Sequence, residues 1–181
     1  MTDQARILAL VGMPGAGKTL CAKHLEAEGY YQFRFGGIVT DEVERRGWAI
    51  TPENERIVRE EFREKEGMDA IAKRALPYLE KALATHPSIV IDGLYSFSEY
   101  KTLRPALGGN MVVVAITCQR SLRYQRLAQR PDRPLTPEEA ESRDYREIEK
   151  LEKGGPIAIA DGYLLMRDSK KMVCIDMKKN N

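Results

Sequence analysis

Uninterrupted apolar runs that end in glycine or a charged residue mark out the strands of this chain. Residues 7–11 (Ile-Leu-Ala-Leu-Val) and 111–116 (Met-Val-Val-Val-Ala-Ile) are apolar at every position, the pattern of strands covered on both faces of a parallel sheet. Shorter runs at 30–35, 88–91 and 163–166 predict further strands, and 172–177 is another β candidate, antiparallel or at an edge. Helical patterning fills the intervals. Residues 18–28 form one helix, stopped by Gly29, in which Leu20, Cys21 and Leu25 are expected to pack on the sheet. Residues 38–46 form the next, ended by Gly47. A long charged helix then opens with Thr51 as N-cap and Pro52 at its first position, breaks at Gly67 and resumes through Leu79. Residues 98–107 are helical, and Thr136, Pro137 and Glu139 form a capping box ahead of a helix over 138–153. That last helix reads as mostly solvent-facing, with Tyr145, Ile148 and Leu151 as a narrow packing stripe. Strands alternating with helices predict a three-layer α/β fold around a mostly parallel sheet of about five strands.

Length and charge narrow the function classes. A chain of 181 residues suits one domain spanning 1–181. Its 29 basic and 27 acidic residues give a net charge of +2, which offers no signature of a nucleic-acid or membrane surface. Cys21, Cys118 and Cys174 are widely spaced, without the paired spacing of a zinc knuckle, and fit a reducing compartment. His24 has no ligand cluster beside it in the sequence. The first six residues are polar and no stretch approaches membrane-spanning length, so a soluble cytoplasmic protein is expected. The oligomeric state stays open.

The chemistry concentrates after the first strand. Gly12-Met13-Pro14-Gly15-Ala16-Gly17-Lys18-Thr19 follows the apolar run and leads into a helix, the context in which GxxxxGK[ST] cradles an oligophosphate. Glycines allow backbone amides to turn around the anion, Lys18 carries charge toward the β/γ-phosphates, and the Thr19 hydroxyl reaches a magnesium ion. Asp92 ends the third apolar run, where a carboxylate binds magnesium, directly or through water, or accepts a proton from an acceptor. Arg120, Arg123, Arg126, Arg130 and Arg133 follow the strand at 111–116, and Arg123, Arg126 and Arg130 share one helical face. Such a tract suits the charge of a transferring phosphoryl group. Residues 130–137 contain three prolines and read as a short lid, with 126–146 as the lid region and Arg143 returning toward it. The excursion over 36–83 exceeds a plain crossover and predicts a helical acceptor-binding subregion, with Arg45, Arg59, Arg63 and Lys65 as candidate phosphate contacts. Tyr95, just beyond Asp92-Gly93, is a further candidate acceptor contact.

The phosphate loop, the Ile91-Asp92-Gly93 strand end and the arginine-rich segment together resemble the P-loop nucleotide kinases. Arg45-Arg46-Gly47, Thr51-Pro52-Glu53-Asn54, Arg63-Glu64-Lys65-Glu66-Gly67, Arg143-Asp144 and Ala158-Ile159-Ala160-Asp161 extend the resemblance to small dephospho-CoA-kinase-like and adenylate-kinase-related proteins. The resemblance implies a P-loop NTPase fold of the nucleoside-monophosphate-kinase type with strand order 2-3-1-4-5. It implies ATP on Gly12 to Thr19, Mg2+ near Thr19 and Asp92, and Arg126, Arg130 and Arg143 as nucleotide or lid arginines, with Arg133 beside them. It also implies transfer to a small phosphate acceptor such as a nucleoside monophosphate or dephospho-CoA. The family pattern favours an arginine where this chain has Tyr95, and the loop at 130–137 is shorter than a zinc-bearing lid. An ATP hydrolase or a nucleotide-controlled regulatory protein is the competing expectation.

Overall fold

In the structure, a computed structural model describing residues 6–131, 134–166 and 172–175, the two fully apolar runs lie side by side. Strand β1 (Arg6–Val11) pairs in parallel with β4 (Met111–Thr117) on one side and β3 (Ser88–Asp92) on the other. Strand β2 (Tyr31–Arg34) adds in parallel outside β3, and β5 (Gly162–Met166) in parallel outside β4. The expected order 2-3-1-4-5 is therefore present. A sixth strand, β6 (Met172–Ile175), extends it as an antiparallel edge beside β5.

Period-two alternation explains why these runs are apolar throughout. Ile7, Ala9 and Val11 of β1, Ile89 and Ile91 of β3, and Met111, Val113 and Ala115 of β4 point into one core. Leu10, Val90 and Ile116 point into the opposite one. Helix α1 (Lys18–Ala27) closes the smaller core with Cys21 and Ala22. The larger is covered by α2 (Gly37–Arg45), α3 (Pro52–Glu66), α4 (Ala70–Leu83) and α5 (Phe97–Ala106). Gly67, at φ 95°, separates α3 from α4. The chain then continues through α6 (Arg120–Ala128), α7 (Pro137–Glu149) and the short α8 (Gly154–Ala158).

Two packing expectations are corrected. Leu20 is 58% exposed instead of facing the sheet, because the helical turn that opens behind the phosphate loop directs Cys21 and Ala22 inward. Helix α7 is inverted relative to its apolar stripe: Tyr145 and Ile148 are exposed, while Ala140, Asp144 and Glu147 are buried. Positions 140, 144 and 147 share a face, and that face meets cations, so ion pairing sets its orientation in place of apolar burial. The helix also ends at Glu149, not at Lys153.

Register aligns the strand ends. Leu10 lies opposite Asp92 and Val11 opposite Ala115, so the loops leaving β1, β3 and β4 emerge together at the carboxyl edge of the sheet, where open α/β folds bind ligands. Among the described residues, no helix is long and apolar enough to cross a membrane.

Candidate functional site

The loop after β1 takes backbone conformations that only glycine adopts without strain. Gly12, Gly15 and Gly17 sit at φ 143°, 78° and 110°. Space forbids a side chain as well. A Cβ at Gly12 would stand 2.3 Å from the Ile116 carbonyl oxygen, and one at Gly15 would stand 2.7 Å from the Arg123 carbonyl oxygen. The loop is thus wedged between β4 and α6, and it delivers the N-terminal turn of α1, whose unpaired amides form a positive pole. No acidic residue occupies that turn. Lys18 bends back over the loop and donates to the carbonyl oxygens of Gly12 at 2.8 Å and Met13 at 3.2 Å. Burial, reinforced by the like charge of Lys153, lowers its pKa from the usual 10.5 to about 7, against the pull of Glu147 and Asp92.

Thr19 and Asp92 are neighbours. The Asp92 carboxylate accepts from Gln32 at 3.2 Å, and the Thr19 hydroxyl is close enough to act on it electrostatically. Burial pushes its pKa up, opposed by the charges of Lys18 and Arg34. Two hard oxygen donors therefore stand beside the phosphate loop. Among the described residues no group of three or more His, Cys, Asp or Glu side chains is placed to hold a metal ion.

The arginine tract divides its labour. Arg123 is buried: it donates to the Pro14 carbonyl oxygen at 3.0 Å and makes a bidentate pair with Asp144, whose carboxylate also accepts from the Tyr124 hydroxyl at 3.2 Å. Arg123 thereby ties the loop to α6 and α7. Arg126 donates to the Gly15 carbonyl oxygen at 3.4 Å. Arg126 and Arg130 line a cavity of about 250 Å3 over the loop together with Lys18, Arg143 and Lys153. Arg143 donates from Nε to Glu147 at 3.0 Å, and Glu147 also accepts from the buried Lys153. The opposing charges of Lys153 and Arg143 hold the Glu147 carboxyl at about 2 in spite of burial. Arg133 lies outside the described residues.

The candidate acceptor contacts separate into two sets. Tyr95 lines the cavity, and burial pushes the pKa of its hydroxyl up, opposed by the charges of Arg59 and Arg143. Arg63 packs nearby as a buried ion pair with Glu99 at 3.7 Å that leaves Arg63 Nε and Nη2 and Glu99 Oε1 without a hydrogen-bond partner. Glu99 meanwhile accepts from the backbone amides of Tyr95 and Ser96, each at 2.9 Å, closing the capping box of α5. Arg45 is not drawn in. It makes a fork with Glu42 on an exposed helix face and is 74% exposed, because its i,i−3 partner satisfies it locally. Lys65 is likewise exposed, facing Glu61 at 4.0 Å. Arg123 was read from the sequence as one of the phosphate-facing cations and instead braces the loop, while three participants were not singled out as site residues: Asp144, its partner, and Glu147 and Lys153 as a pair. The signal for Asp144 and Glu147 was their recurrence with Ala140 on one face of α7; Lys153 had none.

The brace and the buried lysine each carry a measurable consequence. Asp144→Ala leaves the Arg123 guanidinium buried without its carboxylate and is expected to cost about 3–5 kcal/mol, read as a lower urea midpoint. Lys18 binds its proton up to pH 10.5 when unfolded but only up to about 7 when folded, so its burial penalty is full below pH 7 and fades between 7 and 10.5. Lys18→Met is therefore expected to be more stable than wild type at pH 6, with the advantage shrinking toward pH 10; a pH-independent difference in unfolding midpoints contradicts this.

A family model described as an AAA domain matches residues 8–151. A UPF0200 protein of Thermococcus kodakarensis is 35% identical over 96% of this chain and 95% of its own length, and one from Thermococcus onnurineus is 34% identical over 91% and 90%. An Archaeoglobus fulgidus protein named UPF0200/UPF0201 is 37% identical over 81% of this chain, which spans only 46% of that relative. Among solved structures, a Thermus thermophilus protein superposes with a TM-score of 0.62 at 16% identity, covering 92% of this chain and 90% of its own. Shikimate kinase from Acinetobacter baumannii superposes with 0.52 at 19% identity, covering 93% and 87%. These two share the fold. The chain belongs to the UPF0200 family and carries an AAA-type domain over residues 8–151.

Proposed function

We propose that this protein is an ATP- and magnesium-dependent phosphotransferase acting on a small nucleotide-like or phosphorylated acceptor. The observation that carries this reading is the cavity on the phosphate loop, where Lys18, Arg126, Arg130, Arg143 and Lys153 converge from four separate parts of the chain. A cavity so rich in cations suits an oligophosphate and the charge that its terminal phosphoryl group carries during transfer. The family's AAA domain, and the fold shared with a small-molecule kinase, support the same reading. Chemically, the Thr19 and Asp92 oxygens fit magnesium, which takes few protein ligands beside phosphate oxygens and water. Bound there, the ion would neutralise charge on the donor phosphates.

The chain's own groups account for the rest. Loop amides and Lys18 fix the donor phosphates, with Lys18 leaving its loop carbonyls for phosphate oxygens; the anion also restores the full charge that burial suppresses. Asp92 holds magnesium or, in the alternative role that its raised pKa also suits, orients the acceptor hydroxyl and takes its proton. Arg126, Arg130 and Arg143 cover the transferring group from the lid region. Arg59, Arg63 and Tyr95 face the acceptor side. Transfer is direct and in line, with Arg126, Arg130 and Arg143 helping to exclude water from the transferring group. A nucleoside monophosphate or dephospho-CoA fits the cationic acceptor side.

Purified protein incubated with γ-labelled ATP and a panel of nucleoside monophosphates, dephospho-CoA and small hydroxy acids is expected to yield acceptor-dependent labelled product. Lys18→Ala should lower that turnover by about 100-fold or more while leaving the circular-dichroism spectrum intact. Release of inorganic phosphate alone, at the same rate with and without any acceptor, makes the protein a hydrolase. Nucleotide-dependent partner binding without turnover makes it a regulator.

A further inference from the structure

The corner between α7 and α8 is built with more constraint than a connecting turn requires. Glu152 is the one non-glycine residue among those described with a positive φ, at 53°. Its carboxylate accepts from the Ser98 amide at 3.0 Å and the Ser98 hydroxyl at 2.8 Å, so the corner is fastened to the first turn of α5. Gly155 completes the fastening, since a Cβ there would stand 2.7 Å from the Phe97 Cβ. Between these two anchors Lys153 is driven inward and is 2% exposed. Its ammonium donates to Glu147, lies 4.9 Å from the centre of the Tyr95 ring, and lines the cavity over the phosphate loop.

Lysine is a costly residue to bury, and pairing with Glu147 alone gives no reason for that choice, because Arg143 already bonds the same carboxylate. The position of Lys153 gives one. It lines one cavity with Lys18 of the loop and lies against the Tyr95 ring. Resting on the phosphotransferase reading above, we propose that Lys153 is a catalytic cation that contacts the terminal phosphoryl oxygens of a bound nucleoside triphosphate, delivered to them by the Glu152–Ser98 fastening. A diphosphate stops short of it. Lys153 therefore distinguishes ATP from ADP, and Glu147 holds the ammonium in place without consuming its other donors.

A double-mutant cycle on the intact protein separates this contact from a merely structural ion pair, using calorimetric binding of Mg·ATP and Mg·ADP. Lys153→Met is expected to weaken ATP by about tenfold or more while ADP changes by less than about threefold. The same selective loss should appear on going from Glu147→Gln to the double variant Glu147→Gln/Lys153→Met, in which the carboxylate that Lys153 bonds is gone. Should Lys153→Met alone not fold, this second comparison decides the matter with an uncharged, near-isosteric pair. If the lysine serves only Glu147, its removal has no effect in the Glu147→Gln background; that result, or an equal loss for ATP and ADP, overturns the proposal. Wild-type protein that binds both nucleotides but transfers nothing removes the phosphotransferase reading and leaves the Lys153 contact to be judged by the cycle. Wild-type protein that binds neither removes both.

Discussion

Close approach of backbone to backbone at the end of β1 is the constraint on which the site depends. Gly12 leaves no room for a Cβ against the Ile116 carbonyl, and Gly15 leaves none against Arg123, so the loop is held from outside by β4 and α6. Its shape does not rest on its own hydrogen bonds alone. Held this way, the loop presents inward-facing amides and the first turn of α1, and negative charge is what such a surface binds. The parallel register then brings Asp92 beside Thr19, because the strand that carries it pairs directly with β1.

Charge, more than apolar area, organises the other wall. Helix α7 buries Asp144 and Glu147 and exposes Tyr145 and Ile148, the reverse of the usual amphipathic arrangement. Asp144 fixes Arg123, which reaches the Pro14 carbonyl; Glu147 fixes Arg143 and Lys153 at the cavity. Buried pairs of this kind add little net stability, but losing one partner is expensive. What they supply here is position. Asp144 holds the cation that braces the loop, and Glu147 holds two that line the cavity.

Much of this was legible in the sequence, for identifiable reasons. Strands buried on both faces leave unbroken apolar runs, which located β1 and β4, and the loop motif needs glycine where the backbone turns to positive φ. Asp92 was visible because it ends an apolar run. Apolar periodicity misread α7, since a helix held by ion pairs carries its information in the spacing of its acids. It gave no hint of Lys153, whose burial depends on a corner fastened to α5 from 54 residues away in sequence. Arg45 was selected for its charge, yet an acid one turn earlier, Glu42, claims it locally. The missed residues are held by polar partners, which apolar periodicity does not report.

The loop gains meaning from its surroundings: its backbone faces a cavity whose cations come from α1, from α6 and the residues just after it, from α7 and from the corner before α8. On the proposed reading this cavity recognises the phosphates, with the nucleoside secondary. Calorimetric titration of the wild-type protein with magnesium tripolyphosphate and, separately, with adenosine tests that claim most directly. Tripolyphosphate is predicted to bind, to compete with ATP, and to weaken steeply as salt is raised, while adenosine binds far more weakly than either. Adenosine binding as tightly as ATP, with tripolyphosphate failing to compete, contradicts it.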